Sequence, residues 1–373
     1  MKIGIIDADL LAETTHFPNL VCMKISSYFK KNGNDVELIL SYDDLYATPD
    51  VYDVVFASKV FTDTPFPEKV KELGEQEKFA LAYGGTGFFY DKATPLPSEV
   101  EHTMPDYGLY SNYLSNYAPK RLLKPSVLKN YTDYSIGFTT RGCIRHCEFC
   151  VNKNANGVIA ASPVWEFLDE SRPKIMLLDD NILAYPKWRE VFEELQSTNK
   201  RFTFKQGMDI RLMTREKAQV IAESKYDGDY IFAFDDYSSK DIIVPKLEMF
   251  SQYTKKIPMF YLLCGYKSVG ADDVAEIFER LIILWRHNAI GYLMRFKNVY
   301  GSKHEVIYTQ LSRWINQPQF QKKLSFREFI MADDMMVKTK KSKSRVAFEA
   351  FEKEYPDVAR KYFDLKREVF VND

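Results

Sequence analysis

The chain has 373 residues, 46% of them hydrophobic and 28% charged, with a formal net charge of −1. This is the composition of an ordinary globular protein of about two to three domains, and its near-neutral charge excludes a global field for nucleic acid or membrane. No apolar run approaches the ~18 residues of a spanning helix, and the run at the N-terminus is too short for a signal peptide.

A short apolar run, Ile3 to Ile6, ends in Asp7. The spacing of Val21, Ile25, Tyr28 and Phe29 predicts a helix over 20–31, with Gly33 as its stop. Residues 36–40, 52–57 and 79–83 read as strands, the last running into Gly84-Gly85-Thr86-Gly87. Strands alternating with helices imply a parallel sheet, with ligands outside the carboxyl ends of its strands. Gly84, Gly85 and Gly87 suit either a phosphate cradle or simple tight turns. Prolines 95, 97, 105, 119 and 125 break helices and strands alike, so 91–133 reads as a linker with a domain boundary near Leu128.

The alternation then resumes. A strand over 134–140 leads into a cysteine loop, and a second over 174–178 ends in Asp179-Asp180-Asn181. Further strands are expected at 202–206, at 230–234 (ending in Asp235-Asp236), at 259–264 and at 292–296. The helix after 259–264 carries Val274, Ile277, Phe278, Leu281, Ile282 and Trp285 at helical spacing. Six strand–helix units fit an open barrel, whose chemistry would collect at the carboxyl ends of the strands. The expected fold class is α/β: a Rossmann-like parallel-sheet domain over 1–128, a partial barrel over 129–300 and a helical extension over 301–373. In that extension the run Lys338–Arg345 suits phosphate contacts or a solvated helix face.

Three of the five cysteines, Cys143, Cys147 and Cys150, stand in the pattern C-x3-C-x2-C. An odd number of cysteines with a cluster argues against a disulfide framework and for a reducing, cytoplasmic compartment. Three soft thiolates in one loop suit zinc or an iron–sulfur cluster, and a fourth cysteine would normally complete either. Cys22 and Cys264 are far away in sequence and read as small core residues; a zinc knuckle would need His146, beside Cys147, or a distant histidine as its fourth ligand.

Two resemblances follow from these residues. The positions Pro18, Leu20, Ile25-Ser26, Tyr28, Lys30, Gly33, Val36-Glu37, Tyr52-Asp53-Val54-Val55 and Gly84-Gly85 resemble the cobalamin-binding-like domain that often precedes radical S-adenosylmethionine (SAM) barrels. The Asp-x-His-x-x-Gly signature of many cobalamin proteins is absent, and His16 does not match it. Some members bind cobalamin without a protein ligand, so cobalamin is held as a lesser alternative. C-x3-C-x2-C with Phe149 before the last cysteine and Arg141-Gly142 before the first is similar to the radical SAM superfamily.

The second resemblance implies a 4Fe–4S cluster on Cys143, Cys147 and Cys150, with the open iron chelated by the amino and carboxylate groups of SAM. It implies reductive cleavage of SAM to a 5′-deoxyadenosyl radical that abstracts hydrogen from a substrate, fed by a low-potential donor of flavodoxin or ferredoxin type. Asp179, Asp180 and Asn181 match the place that binds the SAM amino group, Asp180 foremost, with helix N-capping as their other use. Arg211 is assigned to the SAM carboxylate or to an exposed charge at a helix start. Asp235 and Asp236 match the ribose-facing pair or are turn formers, and Tyr261–Gly265 resembles the segment whose backbone meets adenine. The substrate is unread. A cobalamin-dependent methyltransferase, or a non-catalytic module binding metal or nucleic acid, are the alternatives.

Overall fold

The computed structural model describes residues 1–14, 16–119, 123–334 and 341–371. The chain divides into two compact units, Met1–Lys205 and Gln206–Asp373.

The first unit opens with β1 (Lys2–Asp7), β2 (Asp35–Leu38), β3 (Val54–Ser58) and β4 (Ala80–Gly84), a parallel sheet in the order β2-β1-β3-β4. β1 is central, and Ile3, Ile5 and Ile6 are wholly buried because both of its faces are covered. Ile3 and Ile5 pack with Cys22, Met23 and Val36, while Ile6 packs with Ile39, Val55, Val70 and Phe79. The expected helix is observed as Leu20–Lys31, with Asn19 capping it through Val21 and Cys22. This is the Rossmann-like α/β arrangement read from the alternation of elements.

The expected structureless linker differs. Its described residues form the helices Ser98–Glu101 and Pro125–Thr132 and a π turn at Tyr113–Tyr117. Tyr110, Tyr113 and Tyr131 are buried in the same core as Ile3 and Ile5. Pro97 precedes the first of these helices and Pro125 occupies the first turn of the second, where a missing N–H costs nothing. Leu128 lies within that helix.

β5 (Tyr134–Gly137) follows, then β6 (Thr140–Cys143) and β7 (Gly157–Ala160), an antiparallel pair, and then β8 (Lys174–Leu177) and β9 (Arg201–Phe204). β5, β8 and β9 form a second parallel sheet in the order β5-β8-β9. The expected single strand over 134–140 therefore stops at Gly137, and the cysteine loop is held in a hairpin of its own. Gly137 is where the break falls: a Cβ there would lie 2.3 Å from the ring of Phe167.

The second unit carries β10 (Ile231–Ala233), β11 (Met259–Cys264) and β12 (Ile290–Arg295), parallel in that order. The helix Ala271–Arg286 packs on it with Val274, Ile277, Phe278, Leu281 and Trp285 buried, as its spacing predicts. The six expected strands thus fall three to each unit. The helical C-terminal region packs Trp314, Phe326, Phe348 and Phe363 with Phe278 and Trp285. Of the basic run, Lys338–Lys340 lie outside the described residues; Lys341 and Arg345 both pair with Glu349. Among the described residues no helix is long and apolar enough to cross a membrane.

Candidate metal centre

The hairpin β6–β7 presents the cysteines. Cys143 is the last residue of β6, paired with Gly157, and Cys147 and Cys150 lie in the turns beyond, where the Cys150 N–H donates to the Cys147 carbonyl. Gly142, just before the first cysteine, has φ +93°, and a Cβ there would stand 2.3 Å from the Gly157 carbonyl oxygen. Only glycine fits that conformation and that contact. Thus the Arg-Gly-Cys sequence has a local steric reason.

Asp179, Asp180 and Asn181, beyond the end of β8, each hold a different part of this hairpin. Asp179 is fully buried and accepts four hydrogen bonds, from the backbone N–H groups of Thr139 and Thr140 (3.1 and 2.7 Å) and from both hydroxyls (2.5 and 2.7 Å). Burial pushes its carboxyl up to about 6 against the pull of those donors, which leaves it ionised at neutral pH. Asp180 accepts from the Gly142 N–H and from the Asn152 side-chain amide, each at 2.7 Å. It therefore ties the residue before the first cysteine to the second residue after the last. Its carboxyl is also raised, first by burial, while those two donors pull it down.

Asn181 stands at the start of the short turn Ile182–Ala184 but makes no capping bond there. Its amide Nδ2 instead donates to the Cys143 sulfur at 3.3 Å, and its Oδ1, buried, has no hydrogen-bond partner among the described residues. Backbone N–H groups add further donors to sulfur: Arg145 to Cys143 at 3.3 Å and Asn152 to Cys150 at 3.4 Å. The Cys150 thiol is pushed up by burial, with the Asn152 N–H lowering it and the Cys147 and Cys143 sulfurs raising it further.

Among the described residues no group of three or more His, Cys, Asp or Glu side chains is arranged as it stands to hold a metal ion. The chemistry of the donor set nevertheless fits a cluster. Partly buried thiols, N–H groups aimed at sulfur and a buried acceptor left open beside them form the outer shell that iron–sulfur centres use. His146 turns away: its Nδ1 meets the Lys153 carbonyl at 2.8 Å and the residue is exposed. All five cysteines are free thiols.

The cysteine hairpin is also fastened to the segment after β4. The Tyr90 hydroxyl donates to the Phe149 carbonyl at 2.6 Å, and Asp91 pairs with Lys153 and accepts from Asn154. Arg141 joins Lys24 on Glu101. The glycines after β4 serve this path: Gly85 has φ +104° and packs against the Lys59 carbonyl, where any Cβ would sit 2.3 Å away.

At the carboxyl ends of β1 and β3, where the order of the first sheet reverses, lies a second polar cluster. Tyr110 donates to Asp7 at 2.7 Å, Asn19 to Ser58 at 3.0 Å, and Thr64 to Asp9. Burial pushes the Asp7 carboxyl up to about 7, against the Tyr110 hydroxyl. His16, in the loop beyond β1, has a buried Nδ1 with no hydrogen-bond partner among the described residues.

No family model and no curated protein matches the sequence. Among solved structures the chain is similar to a radical S-adenosylmethionine methyltransferase, TsrM from Kitasatospora setae, with cobalamin and a 4Fe–4S cluster bound. The TM-score is 0.51 at 11% identity, over 79% of this chain and 74% of that one. The same enzyme with tryptophan substrate and the SAM analogue aza-SAM bound gives 0.51 at 12% identity, over 78% and 72%. The fold is that of a radical SAM enzyme.

The remaining expected residues belong to the second unit. Arg211 is held by Asp209 through a two-pronged pair, Nε to Oδ1 at 2.6 Å and Nη2 to Oδ2 at 3.0 Å. Asp235 accepts from the Leu263 N–H at 3.1 Å, and burial pushes its carboxyl up to about 6 with Arg280 opposing. Asp236 caps the turn Tyr237–Ser239 and pairs with Lys267 at 2.6 Å, the turn-forming use of that residue. Gly265, at φ +73°, donates its N–H to Asp273; a Cβ there would meet Val299 at 2.2 Å. Cys264 is 1% exposed, a core residue as expected.

Sequence reasoning missed the residues that hold these groups. Arg280, 1% exposed, donates to the carbonyls of Phe234, Asp235 and Leu263 and so gathers the ends of β10 and β11. An arginine one position from the apolar stripe of its helix was the available signal. Thr139, Thr140 and Asn152 carried none, because their partners lie far away in sequence.

Proposed function

We propose that the chain is a radical SAM enzyme whose cluster is carried by Cys143, Cys147 and Cys150. One observation carries this reading: a C-x3-C-x2-C hairpin, in a radical SAM fold, whose sulfurs receive N–H donors from Arg145, Asn152 and Asn181. When bound, a 4Fe–4S cluster with an open iron would supply the low-potential electron that cleaves SAM.

The chain's own residues do the rest. Asp179 and Asp180 pin the base and the two flanks of the hairpin that carries the thiolates. The open Oδ1 of Asn181 and the carboxylate of Asp180 are the acceptors proposed for an ammonium group, since a buried carbonyl calls for a hydrogen-bond donor and an ammonium brings three. A low-potential protein of flavodoxin or ferredoxin type is the proposed reductant, and hydrogen abstraction the proposed reaction.

Anaerobic reconstitution with iron and sulfide tests the reading. A brown protein with about four irons per chain, forming 5′-deoxyadenosine from SAM and a reductant, is expected. A colourless protein that takes up zinc under the same conditions would overturn it.

Cobalamin-dependent methyl transfer is a second reading, favoured by the open Nδ1 of His16 beyond β1 and by the cobalamin of the structural neighbour. Against it, Asp7, Asp9, Asn19, Ser58, Thr64 and Tyr110 already satisfy one another at the sheet's crevice. Retention of hydroxocobalamin that weakens in His16→Ala supports it; no binding at excess cofactor removes it.

A further inference from the structure

We infer that Asn181 sets the reduction potential of the cluster, by donating its side-chain amide to the Cys143 sulfur. The inference rests on the reading that Cys143, Cys147 and Cys150 hold a 4Fe–4S cluster.

The sulfurs receive two kinds of donor. Arg145 to Cys143 and Asn152 to Cys150 are backbone N–H groups two residues beyond the cysteine they serve. Those bonds come with the turns of the loop, and no side-chain substitution removes them. Asn181 to Cys143, at 3.3 Å, is a side-chain donor brought from outside the loop. It is the part of the shell that a change of residue can tune.

The amide is held in place for this. Asn181 is 2% exposed, follows the anchored Asp179 and Asp180, and precedes the buried Ile182 and Leu183. It forgoes the capping bond its position offers, and its Oδ1 makes no bond among the described residues. A buried amide that satisfies only its N–H end is oriented by what that end meets. Turned over, it would set carbonyl lone pairs against thiolate lone pairs, both acceptors. The sulfur therefore fixes the amide, and the amide acts back on the sulfur.

Reduction adds one negative charge, shared among iron, sulfide and the thiolate ligands. An N–H donor to a ligand sulfur stabilises that charge and raises the potential. Loss of the donor lowers it, and a carboxylate in the same place lowers it further by repulsion. Asn181 is thus a positioning residue that acts through Cys143, distinct from the thiolates themselves.

The test is an anaerobic redox titration, followed by electron paramagnetic resonance, of the reconstituted wild type, Asn181→Leu and Asn181→Asp. All three are expected to load iron equally. The bond is present in both oxidation states, so only its strengthening on reduction counts: Asn181→Leu should lower the reduced-to-oxidised ratio at a fixed potential several-fold, at most about tenfold, a shift of up to about 59 mV for one electron. Asn181→Asp, nearly the same shape, should shift further in the same direction. Equal midpoints in wild type and Asn181→Leu, at equal iron content, overturn the inference and leave the proposed function standing. A wild type that takes up no iron overturns the proposed function and this inference with it. Should Asn181→Leu fail to fold, Asn181→Ala, equally without donor or charge, decides in its place.

Discussion

Asp7 shows how a single residue ties the fold to pH. It is 1% exposed at the end of β1, and burial raises its carboxyl from 3.8 to about 7 despite the Tyr110 hydroxyl and the Leu10 N–H. A folded-state value above the unfolded one means that the folded chain holds the proton more tightly. The associated stability is complete below about pH 4 and is lost as pH rises through 7. Asp7→Asn cannot ionise, and its amide can keep both contacts: the Leu10 N–H to its oxygen and its own N–H to the Tyr110 oxygen. The stability of the variant relative to wild type, from urea unfolding, should therefore climb between about pH 4 and pH 7 and level off above. The full difference is on the order of 4 kcal/mol. A difference that does not change with pH would mean that Asp7 is not the group responsible.

The β6–β7 hairpin is where structure adds most to what the residues alone disclose. The cysteine spacing was fully legible, because three thiolates in one short loop have few other uses. The acidic pair after β8 stood out in the sequence, but its partners did not. A carboxylate that caps a helix, binds a cation or pins a remote loop looks the same in sequence, and the choice depends on Thr139, Thr140, Gly142 and Asn152. The hairpin itself was read as a loop after a strand over 134–140, because Thr140–Cys143 lacks the alternation that marks pairing.

The bracket formed by Asp180 gives a prediction for this element. Asp180→Ala releases both Gly142 and Asn152, and iron retention against a chelator should fall about 10- to 100-fold. Asp180→Asn should retain the cluster, since the Asn152 amide can turn over to offer its oxygen in place of its nitrogen. If the charge of Asp180 meets the SAM ammonium, Asp180→Asn should weaken SAM binding while its iron content stays normal. Equal chelator resistance in Asp180→Ala and wild type would show that the bracket does not hold the loop.

At the scale of the whole molecule, the parallel order and the strand–helix alternation were predictable because buried parallel strands are written as continuous apolar runs. The contribution of 91–133 to the first core was hidden, since aromatic residues among prolines read as a linker until Tyr110 and Tyr113 are seen packed against β1. Metal linkage should be visible at this scale as well. A cluster bound only by the folded hairpin stabilises what holds it. Anaerobic iron removal should lower the melting temperature and speed amide hydrogen exchange across 140–160, while β1 and β3 change least. Uniform loosening along the entire chain would contradict a cluster housed in this hairpin.

The hairpin leaves and rejoins the main chain path at a single spot. The Ala161 N–H donates to the Thr139 carbonyl and the Ser162 N–H to that of Phe138, so the two ends of the cysteine segment are stitched side by side. An excursion closed at its base behaves like a cassette: its tip can lengthen or shorten while β5 and β8 keep their register. Each doubling of such a loop costs only about 0.6 kcal/mol in closure entropy. Room for change therefore lies at Ala155 and Asn156, past the anchoring residues Asn152, Lys153 and Asn154. There the loop can be fitted to new surroundings without recasting the sheet beneath it.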